Sequence, residues 1–320
     1  MTTEDIAAGI PSKRASSALQ MGPQKKVSLS DLLVSHGRHF GRTVFALCNY
    51  PSLLTNGILR LEQMENTALE DFSAEERREH RKGAAGARGD DTKTLKSAIL
   101  DWIALKGQAI QPPLHRNSKI DRGFNHELTG SLLCPAGLDW NDSQTKENLR
   151  SSELLVCGDQ WPVFLYAHHI YDAKDPWCGL LRSRLLICAY KHIFTSPSSV
   201  DRELKATRSG NTRLHGMNSA TIASIAYVAT QVRFALTSSS VFSRTDTTTD
   251  LETFYHSLLD LLEDPDESKE VDELLIWWNR QVFPTSSAAK RNVAANSALS
   301  KIRQKRLALK QTSNLNIVST

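Results

Sequence analysis

Two stretches, residues 177–195 and 219–237, carry so little charge along a helical period that they dictate much of the fold. In the first, Arg184, Lys191 and Thr195 make a narrow polar stripe with His192 beside it. Leu185, Leu186, Ile187, Ala189, Tyr190, Ile193 and Phe194 fill most of the remaining surface. The second has one charge, Arg233, among small residues such as Ala220, Ala223, Ser224, Ala226 and Ala229. A helix that is apolar nearly all round is a buried one. Arg182, Arg184 and Lys191 interrupt the first stretch, and Gln231 and Arg233 the second, so neither reads as a membrane span. The expected fold class is mainly α: an irregular helical bundle around two buried helices, with a loop-rich middle region and disordered ends.

Charge is distributed unevenly. Of 39 Lys/Arg, seven lie in residues 285–320, which hold no Asp or Glu, leaving 32 cations against all 35 Asp/Glu in the rest. The chain is thus a near-neutral body with a basic tail. The start of the chain lacks the apolar run of a secretory signal, and the five cysteines include no CxxC pair. Both point to an intracellular compartment, nucleus or cytoplasm.

Read in order, residues 1–26 form a disordered lead. An N-terminal helical segment follows over 27–69, with Ser28 or Ser30 capping a helix through Leu47 and a second short helix over 52–64. Residues 70–90 are charged and then glycine-rich (Gly83, Gly86, Gly89), the composition of a flexible linker. The core domain is expected over 91–284. Asp91 or Thr92 caps its first helix, which Gly107 ends. Residues 108–176 are broken by Pro and Gly, which predicts irregular structure, a short helix near 144–150 and one small strand pair. A region this long and irregular is either a functional surface or a wrapping over the core. Then Leu251, Phe254, Tyr255, Leu258 and Leu262, followed by Val271, Leu274, Leu275, Trp278 and Val282, mark two helical faces. Thr249 and Glu252 have capping-box spacing, and Asp264-Pro265 starts the second helix. The pair predicts an antiparallel hairpin with an acidic outer face. Residues 285–320 form a basic, mostly disordered tail.

No phosphate loop, dinucleotide fingerprint, HExxH or GxSxG is present, and no cofactor or metal is expected. His36 and His39 share a helix face without a further ligand, and the side chains of His168 and His169 diverge. An enzymatic site would need His126, Glu127 and Asp159 to converge. The loop at 195–216 gathers Arg202, Lys205, Arg208, Arg213 and His215 near Gly210, a set able to contact an anion or partner. Arg233, alone on its helix, requires a carboxylate: Asp246, Asp250 or Glu252. In the tail, Lys301, Arg303, Lys305 and Arg306 form a nuclear-import or nucleic-acid patch, or a strip that lies against the acidic hairpin.

The strings GARGDDTKTLKSAILDWI, DRGFNHELTGSLLCPAGLDW, GDQWPVFLY, HIFTSPSSVD, KATRSGNTRLHGM, ASIAYVATQVRFAL, FSRTDT and LLIWWNRQVFP are specific as a set. Together they resemble an uncharacterised, multi-copy protein family of mushroom-forming basidiomycete fungi, over about residues 83–310. The resemblance implies a fungal source and a domain of unknown function. It supplies no activity, cofactor or site. The leading functional expectation is therefore a non-enzymatic binding or scaffold module, without membrane contact, that meets nucleic acid or an acidic partner through its tail. The alternatives are an enzyme with a polar site in 108–176, and a mobile-element-like or expanded-family remnant without activity.

Overall fold

A computed structural model describes residues 29–47, 74–104, 107–196, 200, 216–242, 250–284, 298, 300–302 and 304–306. The expected lead (1–26), the short helix over 52–64, Thr249 of the expected capping box and most of the tail lie outside them. Among the described residues the protein is mainly helical, without strands. Its helices are α1 (Leu29–Thr43), α2 (Ala74–Ile103), α3 (Glu127–Leu133), α4 (Ser143–Ser151), α5 (Arg184–Tyr190), α6 (Ile222–Leu236), α7 (Leu251–Glu263) and α8 (Ser268–Val282).

The centre is α6, in which every residue from Ala223 to Leu236 is buried. Thr221 starts it through a capping box with Ser224. Beside it lies α5, with Leu185, Leu186, Cys188, Ala189 and Tyr190 buried, continued by a π-helical turn over Lys191–Thr195. This first core helix begins seven residues later than expected. Gly179 and Leu181 adopt positive φ (75° and 54°), which no right-handed helix accommodates, and Ser183 then caps α5 through Leu185 N.

The glycine-rich stretch expected as a linker is the first half of α2, and Asp91 lies inside that helix instead of capping one. Buried positions on α2 recur every four residues: Glu79, Gly83, Ala87, Asp91, Leu95, Ile99 and Ile103. At Gly83 glycine serves close approach within a continuous helix. A Cβ at Gly83 would lie 2.2 Å from Val34 O, and one at Gly37 would lie 1.9 Å from His80 O. Only bare backbone lets α1 and α2 touch at these points. Ion pairs close the crossing. Arg38 meets Asp90 at the surface, and buried Arg42 grips Asp91 through two hydrogen bonds of 2.6 and 2.7 Å. Tyr227 of α6 donates to the same carboxylate (2.7 Å), tying three helices to one buried anion.

The C-terminal end of α6 is closed by two buried cations. Lys119 Nζ donates to Phe234 O (2.6 Å), and Arg122 donates to Ala235 O (2.7 Å), Lys96 O and His115 O. Cations suit the negative end of a helix dipole. The 108–176 region drapes over this core as short helices and turns, with one isolated bridge, Pro135 to Pro162, in place of the expected strand pair. In α7 and α8 the expected apolar faces are buried, although Leu275 only partly. Asp264 caps a turn over Pro265–Glu267, and α8 proper starts at Ser268.

Two outcomes follow. Gly83→Ala should lower stability by about 1–3 kcal/mol through overpacking. Gly89→Ala, whose Cβ would meet nothing within 4 Å, should raise it by about 0.5–1 kcal/mol; calorimetry of the two variants checks the contrast. Burial, with Arg122 and Lys96 nearby, pushes the Lys119 amine down from 10.5 to about 7. Between those values the unfolded chain holds a proton that the folded chain has released, so stability rises with pH. The advantage of the parent protein over Lys119→Met should therefore grow by roughly 1–3 kcal/mol from about pH 7 to pH 10. Urea unfolding at fixed ionic strength reads it, and an unchanging difference counts against the burial argument.

Candidate functional site

The draped region builds a cleft against the α7–α8 hairpin, about 430 Å³ in volume. Four aromatic rings line it: Trp161, Tyr166, Tyr171 and Trp177. Pro135, Pro176, Leu180 and Leu261 complete the apolar wall, and Asp159 is the charged residue in it. The rings come from the irregular run 158–177, and their edges are fixed by the hairpin. Trp161 Nε1 donates to Ser257 Oγ of α7 (2.9 Å), and Trp177 Nε1 donates to Glu267 Oε2 at the turn before α8 (2.7 Å). Tyr166 and Tyr171 meet edge to face at 5.2 Å between ring centres. An indole held by its N–H keeps one orientation and leaves its faces for apolar contact.

Gly158 fixes the entry to this run. A Cβ there would lie 2.4 Å from Phe254 N and 2.6 Å from Asp250 O, so the loop rests directly on the backbone at the start of α7. Its N–H donates to Asp250 Oδ2 (2.6 Å). Asp250 is also an electrostatic partner of Arg233, which is 4% exposed and stands 4.7 Å from the centre of the Phe254 ring. Burial lowers the Arg233 guanidinium to about 10, against the opposing pull of Asp250. Of the three carboxylates named for Arg233, Asp250 is near enough to act on its charge, and Asp246 lies outside the described residues.

The residues singled out for chemistry do not meet in this cleft. His126 is buried at the start of α3. Its Nδ1 accepts from Leu128 N (3.1 Å) and its Nε2 donates to Pro112 O (2.8 Å), so both ring nitrogens are occupied. Glu127 accepts from Lys146 Nζ (2.7 Å), Trp140 Nε1 (2.8 Å) and Arg150 (3.2 Å). The Lys146 hydrogen bond is the main cause of its lowered pKa, and it stays a carboxylate. Glu127 borders a separate hollow formed with residues 108–111, while Asp159 faces the aromatic cleft. The three are not brought together as an acid–base set. His168 and His169 both take positive φ, 57° and 59°. Among the described residues no group of three or more His, Cys, Asp or Glu is arranged to hold a metal ion. Arg202, Lys205, Arg208, Arg213 and His215 lie outside the described residues, as does Arg303. Lys301, Lys305 and Arg306 are helical and exposed. The cleft itself was not anticipated residue by residue. The available signal was the crowding of aromatic residues into a run too broken by Pro and Gly to bury them in a helix.

Among the described residues the core is helical, and the ring-lined cleft is built from the segments draped over it. The chain belongs to DUF6698, a family of unknown function, whose model matches residues 82–283. No curated protein and no solved structure matches the chain. The cleft lies wholly within the matched range, whereas α1 and the basic tail lie outside it. No helix among the described residues is long and apolar enough to cross a membrane.

Gly158→Ala should force the 158–161 loop off α7 and free the Trp161 indole. A red-shifted tryptophan emission and a loss of about 1–3 kcal/mol are expected; unchanged emission would show that the loop does not depend on this contact.

Proposed function

We propose that this protein is a non-catalytic binding module, with the core domain at 91–284 and the aromatic cleft as its recognition site. The observation that carries the reading is the pre-set aromatic wall, with two indoles anchored at their N–H and no acid–base pair within it. A rigid apolar cleft with a few placed polar groups is the general form of a binding site. Anchored rings lose little freedom on binding, so more of their contact energy appears as affinity. The intracellular setting, in nucleus or cytoplasm, and the fungal source expected from the sequence belong to this reading. So does a second contact, to nucleic acid or an acidic partner, through Lys301, Arg303, Lys305 and Arg306 and through the 195–216 loop.

Selection of a random-peptide display library on the immobilised full chain tests the primary site. Enriched peptides should lose at least about tenfold in affinity, about 1.4 kcal/mol, with Tyr171→Ala and retain it when Lys301, Lys305 and Arg306 are replaced by Ala. Enrichment indifferent to Tyr171 would discard the cleft as the site. For the tail, binding to a labelled DNA duplex should weaken steeply with salt and fall on the triple replacement. No binding at low salt removes nucleic acid from the reading.

A further inference from the structure

The chemistry of the cleft goes further than its shape. Asp159 is the charged side chain in the lining of the cleft, and exposed Asp139, Asp172, Asp175 and Asp260 each adjoin a lining residue in sequence, with Lys174 the one Lys or Arg among residues 135–142, 157–163, 166–180 and 257–267. Asp159 stands in the wall, and Glu267 is bound to the Trp177 indole. Asp264 and Asp266 are exposed just ahead of Glu267. An aromatic face is the negative pole of its ring's quadrupole, so rings and carboxylates here favour the same sign of ligand charge. Nucleic acid is repelled from this face on the same grounds.

One polar group opens into the cleft without a protein partner among the described residues. Tyr166 is 3% exposed and lines the cleft, and its hydroxyl makes no hydrogen bond to another described residue. Burial pushes its pKa up to about 12, so it remains a neutral hydroxyl able to donate. A hydroxyl open to the cleft is hydrated until a ligand acceptor takes the place of that water.

We propose that the cleft binds an extended, arginine-bearing peptide segment of a partner protein. The guanidinium lies against the Trp and Tyr faces and pairs with Asp159, while Tyr166 donates to a backbone carbonyl of the segment. This rests on the reading of the cleft as a recognition site. Arginine fits better than lysine because a planar, weakly hydrated cation stacks on rings and still donates in its own plane. Carboxylates spread over four segments suit a chain with several cations, whereas a small organic cation would use one. A volume of about 430 Å³ admits a side chain with adjoining backbone and excludes a folded element. The protein's own tail is the competing cationic occupant, but its described basic residues Lys301, Lys305 and Arg306 are exposed and do not line the cleft.

Fluorescence anisotropy on the full chain at low salt decides the matter, with labelled peptides of four Gly-Ser-Arg, four Gly-Ser-Lys or four Gly-Ser-Glu repeats. The arginine peptide should bind, the lysine peptide at least about threefold more weakly, and the glutamate peptide not at all. Asp159→Asn and Tyr166→Phe should each weaken the arginine peptide by about threefold to tenfold while melting as the parent does. Tyr166→Phe removes only an unpartnered hydroxyl, so its fold is not at risk. Equal affinity of all variants would show general electrostatic adhesion and overturn the proposal. Binding that emerges only after deletion of residues 286–320 would make the tail the occupant and overturn the partner assignment. If library selection instead yields neutral or acidic peptides that depend on Tyr171, the arginine assignment fails and the binding module stands. If nothing depends on the cleft, both fail.

Discussion

Complete burial of α6 is the constraint that the rest of the structure satisfies. A helix that meets no water must have a protein partner for every polar group at its ends and on its surface. At its start the side chains of Thr221 and Ser224 answer each other, and Tyr190 adds a hydroxyl contact to Ser224 at 2.9 Å. Along its length Tyr227 finds Asp91, Gln231 accepts from Thr92, and Arg233 faces Phe254 with Asp250 nearby. At its end Lys119 and Arg122 take the carbonyls of Phe234 and Ala235. These partners come from α2, the turn at Lys119–Arg122, α5 and α7, so burying one helix fixes the placement of much of the chain.

The cleft inherits its position from this centre. Arg233 lies against Phe254 on α7, and Asp250, at the start of the same helix, receives Gly158 N. From Gly158 the chain passes at once into Asp159, Gln160 and Trp161. Trp278 of α8 donates to Leu181 O (3.1 Å), fixing the far end of the draped run just ahead of α5. Both ends of the ring-bearing segment are thus tied to elements that pack on α6. The cleft wall is a loop held at both ends by the core and pinned between them by two indole hydrogen bonds, which combines loop chemistry with the rigidity of a helix face.

The buried centre was legible because an uncharged helical period has few other solutions, and the α7–α8 faces because their apolar spacing is sustained over both helices. The 70–90 stretch was misread for a physical reason. Glycine signals either a turn or a close backbone approach, and which one applies depends on what packs against it. The partners of Gly83 lie on α1, about fifty residues earlier. Asp91 was misread for the same cause: an acidic residue at an expected helix start and a buried anion on a long helix look alike until Arg42 and Tyr227 are placed around it. His126 and Glu127 attracted attention as reactive types, yet their partners, Pro112, Trp140, Lys146 and Arg150, are distant enough in sequence that saturation of both groups could be seen only in three dimensions.

The same reasoning separates the cleft from its surroundings. Throughout the core, ionisable groups are consumed by structure: Asp91 by Arg42 and Tyr227, Glu127 by three donors, Lys119 and Arg122 by carbonyls. Such groups are poor candidates for chemistry because their contacts are committed to holding the fold. The cleft reverses the pattern. Its two indoles are held at their N–H, the Tyr166 hydroxyl is unmatched among the described residues, and Asp159 stands exposed in the wall. With the Tyr166 hydroxyl open to it, Asp159 in its wall and further acids beside it, the cleft has the form that the proposed positively charged chain would complete.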